Sequence, residues 1–227
     1  MLDISRLNFG IITLLPKCPR AENIKQFRTI ALINVIFKLV SKAFAARLSP
    51  VAHRVISRSQ SAFLKGRLIH DGDLALHEVV HELKSKNLPA VVLKLDFEKA
   101  YDRVSWAFLR EVLTRKGFES GVIHRLMQLV TGGQTDFPIN GEVGPFFRNK
   151  QGVRQGDPSS PILFNFMADA LAGMLEAASR VGHIRGVVPN LMDGGVTHLQ
   201  YADDTIILVQ NSERELANLK FLLLCLK

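Results

Sequence analysis

Two places in the chain put carboxylates where a rigid backbone would present them. Asp96 closes the apolar run AVVLKLD, and Asp203 and Asp204 stand side by side between VTHLQYA and TIILVQ. An acid at the end of a strand projects from a fixed edge, either as a metal ligand or as the N-cap of a following helix. Adjacent acids in the two positions between paired strands repel one another and supply nothing that a positive-φ turn needs. A compensating cation explains them, and so does a polar, solvated turn. Mg2+ suits such ligands, because it takes oxygen donors at about 2.0–2.1 Å and is commonly held by one or two carboxylates plus phosphate. Two such ions, Mg2+ or Mn2+ in its place, about 3.5–4 Å apart would serve an in-line displacement at phosphorus. Asp96 and the Asp203–Asp204 pair lie far apart in sequence, so a sheet with antiparallel neighbours must bring the strand ends together.

A second constellation is HEVVH, His77 to His81, which satisfies the H-E-x-x-H pattern of zinc hydrolases. On a helix His77 and His81 share a face, and Glu78 could act on a zinc-bound water. A convincing third ligand is missing, and solvent-facing histidines are the expectation.

The elements that must position these groups follow from periodicity. LNFGIITLLPKCP reads as a strand, and residues 32–48 as an amphipathic helix with Pro50 beyond its end. A second helix is expected over 73–86, AVVLKLDF as a strand, and EKAYDRVSWAFLREVLTRKGF as a helix that stops at Gly117. Residues 119–130 read as helix, and 137–140 with 146–148 as a hairpin across GEVGP. The Gly/Pro-rich loop QGVRQGDPSSP leads into a long apolar helix. The strands around Asp203–Asp204 follow, and a last helix begins near Ser212.

Composition sets the frame. The 227 residues are 47% hydrophobic and 22% charged, the usage of a folded chain of one domain or two joined subdomains. Lys and Arg number 29 against 21 Asp and Glu, a net charge of +8, which suits a polyanionic partner such as nucleic acid or an acidic membrane surface. Two cysteines without C-x-x-C spacing suggest neither a disulfide framework nor a thiolate zinc site, and favour a reducing compartment. The most apolar stretches, IALINVIFKLV and FLLLCLK, fall short of the roughly 18 residues of a membrane span, so no membrane partner is expected.

In chain order, IITLLPK, FRTIAL, SQSAFLKGR, KLDFEKAYDRVSW, ING, GVRQGDPSSP and LQYADD resemble the reverse transcriptase domain of non-LTR (LINE-type) retrotransposons, most of all those of plants, over about Ile11 to Val209. The resemblance implies that Asp96, Asp203 and Asp204 are catalytic, metal-binding carboxylates. It places Phe97 where an aromatic ring excludes a 2′-hydroxyl. Arg154, Gln155 and Gly156 fall in a loop against the incoming nucleotide and templating base, and Arg28, Lys65 and Arg67 in finger motifs that meet triphosphate or template.

The implied fold is α+β, a right-hand polymerase fragment with helical fingers over 1–89 and an antiparallel-sheet palm over 90–227. The chain ends before the thumb would be expected. The implied activity is RNA-directed DNA synthesis, the transfer of dNMP to a primer 3′-hydroxyl, with an RNA template, a DNA primer and dNTPs as partners. The expected setting is intracellular, nucleus or cytoplasm. Thr29 stands where the family's finger motif has proline, and Ser159 where its loop commonly has leucine. These departures and the early end keep a second reading open, a nucleic-acid-binding remnant without catalysis.

Overall fold

The computed structural model describes residues 7–225. They form two compact units, each built from separated stretches: residues up to 51 with 99–164, and 52–98 with the chain from 165 onward. The two units are thus interleaved in sequence.

In the first unit, β1 (Phe9–Pro16) pairs antiparallel with β2 (Phe27–Ile33), from Gly10 with Ile33 to Pro16 with Phe27. On its other side β1 runs parallel to β4 (Gln134–Asp136), which pairs with β5 (Phe147–Arg148), so the sheet order is β2-β1-β4-β5. The expected hairpin exists: β5 falls within the predicted 146–148, while its partner is 134–136 rather than 137–140, and residues 137–146, with their Pro, Asn-Gly and Gly-Pro, form the connection. Leu32 and Ile33, assigned to a helix on periodicity, belong to β2, because the β-branched and apolar run from Phe27 pairs with β1.

Helix α1 (Val35–Val55) begins this unit's helical layer, and α3 (Trp106–Arg115) packs on α4 (Ser120–Thr131). Leu109 and Leu113 of α3 and Leu126 and Leu129 of α4 are buried. The helix predicted from Glu98 starts only at Trp106, where the Ser105 side chain caps the Phe108 N–H; residues 98–103 form turns, with Lys99 left-handed.

Pro50, expected beyond the end of α1, lies inside it. Proline removes one helical hydrogen bond, yet the helix continues to Val55. In the second unit the carbonyl of His53 in the last turn, and those of Ile56, Ser57 and Gln60 in the segment that follows, all accept from the Arg67 guanidinium. This long-range cap, invisible to local periodicity, satisfies the orphan carbonyls of a helix end.

The second unit contains α2 (Ile69–Ser85), β3 (Ala90–Leu95), most of α5 (Ser160–Arg180), β6 (His198–Tyr201), β7 (Asp204–Gln210) and α6 (Glu213–Leu224). Its sheet is antiparallel in the order β3-β7-β6. The central strand β7 is buried on both faces. Ile207 and Val209 pack with Leu171, Leu175, Ile184 and Leu219, while Leu208 packs with Val79, Val187 and Val196. Each fully buried aliphatic side chain contributes about 1.5–3 kcal/mol, so the strand carrying Asp204 is among the most rigidly held of the unit.

Among the described residues, α5 is long and apolar enough to cross a membrane, a property not anticipated from the sequence. More than half of its apolar window is buried inside the protein, and Leu171, Leu175 and Ala178 belong to the core, which accounts for its composition.

Candidate active site

The β3–β7 register ends with Leu95 opposite Thr205, so Asp96 is the next residue beyond the ladder, level with Asp204. In β6–β7 the last pair is Tyr201 with Asp204. The two-residue turn is therefore Ala202–Asp203, not Asp203–Asp204 as the sequence suggested; Asp204 opens β7. Ala202 takes the left-handed conformation (φ 54°), which leaves Asp203 at the tip and Asp204 on the strand. The three carboxylates thus share one end of one sheet, as the two-strand expectation required.

Asp96 and Asp204 are exposed and Asp203 is half-buried. The Lys94 ammonium lies 3.2 Å from the Asp204 carboxylate, and both side chains are well exposed, so solvent and salt screen the pair. Among the described residues no three His, Cys, Asp or Glu side chains are gathered into a ready metal cage. What fits a divalent ion is the donor set, hard oxygens only, carried on adjoining strand ends.

Phe97 follows Asp96 and is partly exposed beside it in the chain. Lys65 is exposed. Arg67 donates to the four carbonyls named above, and burial is the main cause that pulls its pKa below the ordinary arginine value.

The loop residues lie in the first unit. Arg28 is exposed on β2, opposite Leu15. Gln155 accepts the Ala31 N–H through its carbonyl (2.8 Å), and a Cβ on Gly156 (φ 109°) would come within 2.7 Å of the Ala31 carbonyl oxygen, so only glycine lets the loop lie against β2. Arg154 is not presented to solvent. Its guanidinium sits 4.9 Å over the Phe37 ring, bonds Asn8 and lies 3.8 Å from Asp157. Burial pulls its pKa down and Asp157 opposes that.

Ser159, the departure from the family's leucine, is built into the same buried network. Its N–H and Oγ both donate to Asp157 at 2.9 Å, and Ser41 donates to the same carboxylate oxygen. A hydroxyl replaces an apolar contact with hydrogen bonds, so this departure is compensated locally.

His77 and His81 of the HEVVH segment line a shallow cavity with Glu78, Glu82 and Leu191; the ion-pair contact of His77 is with Asp73, at 3.9 Å.

Sequence reading missed a buried polar group on β6. His198 is buried, with Nε2 2.8 Å from Ser59 Oγ and Nδ1 2.9 Å from Thr197 Oγ1. Burial depresses its pKa, while Glu176 and Asp169 oppose the shift. The unfolded chain therefore takes up the proton first. His198 contributes stability that is complete above its unfolded pKa near 6.5 and is lost as pH falls through the lower folded value. Thermal melts at pH 7.5 and 5.5 are expected to show a drop that His198→Gln makes smaller; an unchanged drop would remove His198 as its source.

Comparison with known proteins fits this geometry. The fold is that of solved telomerases: apo telomerase from Candida tropicalis, truncated from its C-terminal domain, superposes with a TM-score of 0.62 over 96% of this chain and 46% of that one, at 16% identity. Telomerase from Candida albicans, in complex with a fragment of telomeric RNA, gives 0.61 over 98% and 41%, at 14% identity. The fold class is thus mixed α and β with an antiparallel sheet, as in those polymerases. Residues 15–227 match the profile of the reverse transcriptase (RNA-dependent DNA polymerase) family, and the chain belongs to that family.

Its sequence relatives are non-LTR elements. A 149 kDa uncharacterized protein of transposon TX1 from Xenopus laevis is 29% identical over 89% of this chain and 15% of that protein. The Pol polyprotein of the R2 element from Popillia japonica is 28% identical over 88% of this chain and 27% of its own length. The chain spans between about a seventh and a quarter of these relatives. They are animal proteins, so the expected plant character is not supported.

Proposed function

We propose that this chain carries the polymerase centre of a non-LTR retrotransposon reverse transcriptase, adding dNMP units to a DNA primer on an RNA template. The single observation that supports it most is the β3–β7–β6 register, which sets Asp96, Asp203 and Asp204 at one sheet end. Residues 1–89 would serve as fingers and 90–227 as palm, acting in the nucleus or cytoplasm.

The family generally uses divalent metal ions. Here Mg2+, or Mn2+ in its place, would be held by Asp96 and Asp203, with Asp204 as the third donor; when bound, two such ions supply charge neutralisation at the transferring phosphate. The chain's own part is positioning. β3 and β7 fix the carboxylates on a buried scaffold, so the primer 3′-hydroxyl and the α-phosphate can be held in line. Phe97 would close the space beside the sugar. Replacing it with Val is expected to raise ribonucleotide incorporation, relative to deoxynucleotide, by at least roughly tenfold. Competition between dCTP and CTP in primer extension measures this, and an unchanged ratio would leave Phe97 a packing residue.

The test is primer extension on an RNA template with dNTPs and Mg2+. Extension that depends on RNA and on dNTPs supports the proposal. Template binding without extension, by this chain and by a longer one that includes a thumb, would favour the non-catalytic remnant.

A further inference from the structure

The segment Ser59–Ser61 lies along β6 as a short parallel strap on the side away from β7. Gln200 donates to the Ser59 carbonyl (2.8 Å), and Ser61 donates to the Gln200 carbonyl (3.0 Å). β6 is an edge strand, and the strap satisfies the groups it would otherwise leave open. Between the two serines stands Gln60, which is wholly buried.

The Gln60 amide is aimed at one residue. Its Oε1 accepts the Ala202 N–H at 2.9 Å, and its Nε2 donates to the Ala202 carbonyl at 3.2 Å. A further bond from the Ala62 N–H (3.1 Å) fixes the Oε1 itself. Ala202 is the left-handed residue that turns the chain into Asp203. A left-handed alanine is strained relative to its ordinary conformations, so something must hold it there. A two-pronged amide that grips both the N–H and the C=O of the residue does so.

We propose that Gln60 is the positioning residue of the carboxylate turn: by clamping Ala202 in its left-handed conformation it sets Asp203 for divalent-ion binding. This rests on the carboxylate site proposed above. A glutamine that merely filled space would need neither prong, and a buried amide bonded to the residue beside a metal ligand acts as an outer-shell support of that ligand.

The experiment measures Mn2+ binding to the whole chain by electron paramagnetic resonance, well below the melting temperature, for wild type, Asp203→Asn, Gln60→Met and Gln60→Met with Ala202→Gly. Methionine keeps the length and loses all three hydrogen bonds of the amide, two to Ala202 and one to Ala62. Gln60→Met is expected to weaken Mn2+ binding roughly ten- to a hundredfold. Ala202→Gly, which takes positive φ without strain, is expected to recover most of that loss. Unchanged affinity in Gln60→Met overturns the inference, as does a loss that Ala202→Gly leaves in place. Should Gln60→Met fail to fold alone, the folded double variant decides: near wild-type affinity supports the clamp, and no binding overturns it. Asp203→Asn separates the two levels. Mn2+ binding that is absent in wild type or indifferent to Asp203→Asn removes the site and the inference with it; loss in Asp203→Asn with none in Gln60→Met removes the inference alone.

Discussion

Asp203→Asn is expected to reduce the rate of primer extension by at least about a thousandfold, with little change in the melting temperature. The substitution keeps the size of the side chain and its place at the turn tip, so the β6–β7 ladder and the Gln60 contacts to Ala202 persist. What it removes is a negative oxygen donor at the point where charge develops, and loss of one preorganised electrostatic contact of that kind typically costs ~10²–10³ in rate. A metal ligand belongs at or beyond the upper end of that range, because its loss also disturbs the ion. Single-turnover extension at saturating dNTP measures the effect. A rate within about tenfold of wild type would show that Asp203 is not a ligand in the chemical step.

The largest effect on stability is expected from Asp157→Ala. Asp157 is buried in the first unit, where it accepts from Ser41, from the Ser159 N–H and from Ser159 Oγ, and faces the buried Arg154 guanidinium at 3.8 Å. Alanine leaves those donors and the Arg154 charge without their acceptor. Removing one partner of a buried pair typically costs about 3–5 kcal/mol, a large share of an ordinary domain's stability. Urea unfolding would register it as a lower midpoint. Asp157→Asn, which keeps the Oδ1 acceptor, should lose less. A loss under about 1 kcal/mol for the alanine variant would mean that the network is replaced by water.

How much of this was legible in the sequence differs by the kind of signal. Strands around the carboxylates were readable because β-branched runs ended in unusual acids, and the register then joined Asp96 to Asp204 as required. The turn itself was misplaced by one residue: a two-residue loop containing Asp-Asp looks self-evident until Ala202 proves to be the left-handed position. Nothing local distinguishes that alanine, since its conformation is imposed by Gln60, far away in the chain. The surroundings of Arg67 and Arg154 were hidden for a related reason. A motif gives a basic residue its place, but whether its guanidinium faces solvent, a helix end or an aromatic ring is decided by tertiary packing. Pro50 shows the converse, a strong local breaker overruled by a distant cap. Gln60 lay within SQSAF all along; an uncharged polar residue in the middle of a motif was the available signal.

In the proposed centre the end of β3 and the β6–β7 turn form one divalent-ion site. Iron-directed backbone cleavage tests this most directly: Fe2+ takes the place of Mg2+, ascorbate and peroxide generate hydroxyl radical at the bound ion, and the cut positions are read by mass spectrometry. The expected result is cleavage at both Asp96 and Ala202–Asp204, suppressed by excess Mg2+ and absent in Asp203→Asn. Cleavage at one of the two segments alone, or cuts at both that persist in Asp203→Asn, would contradict it.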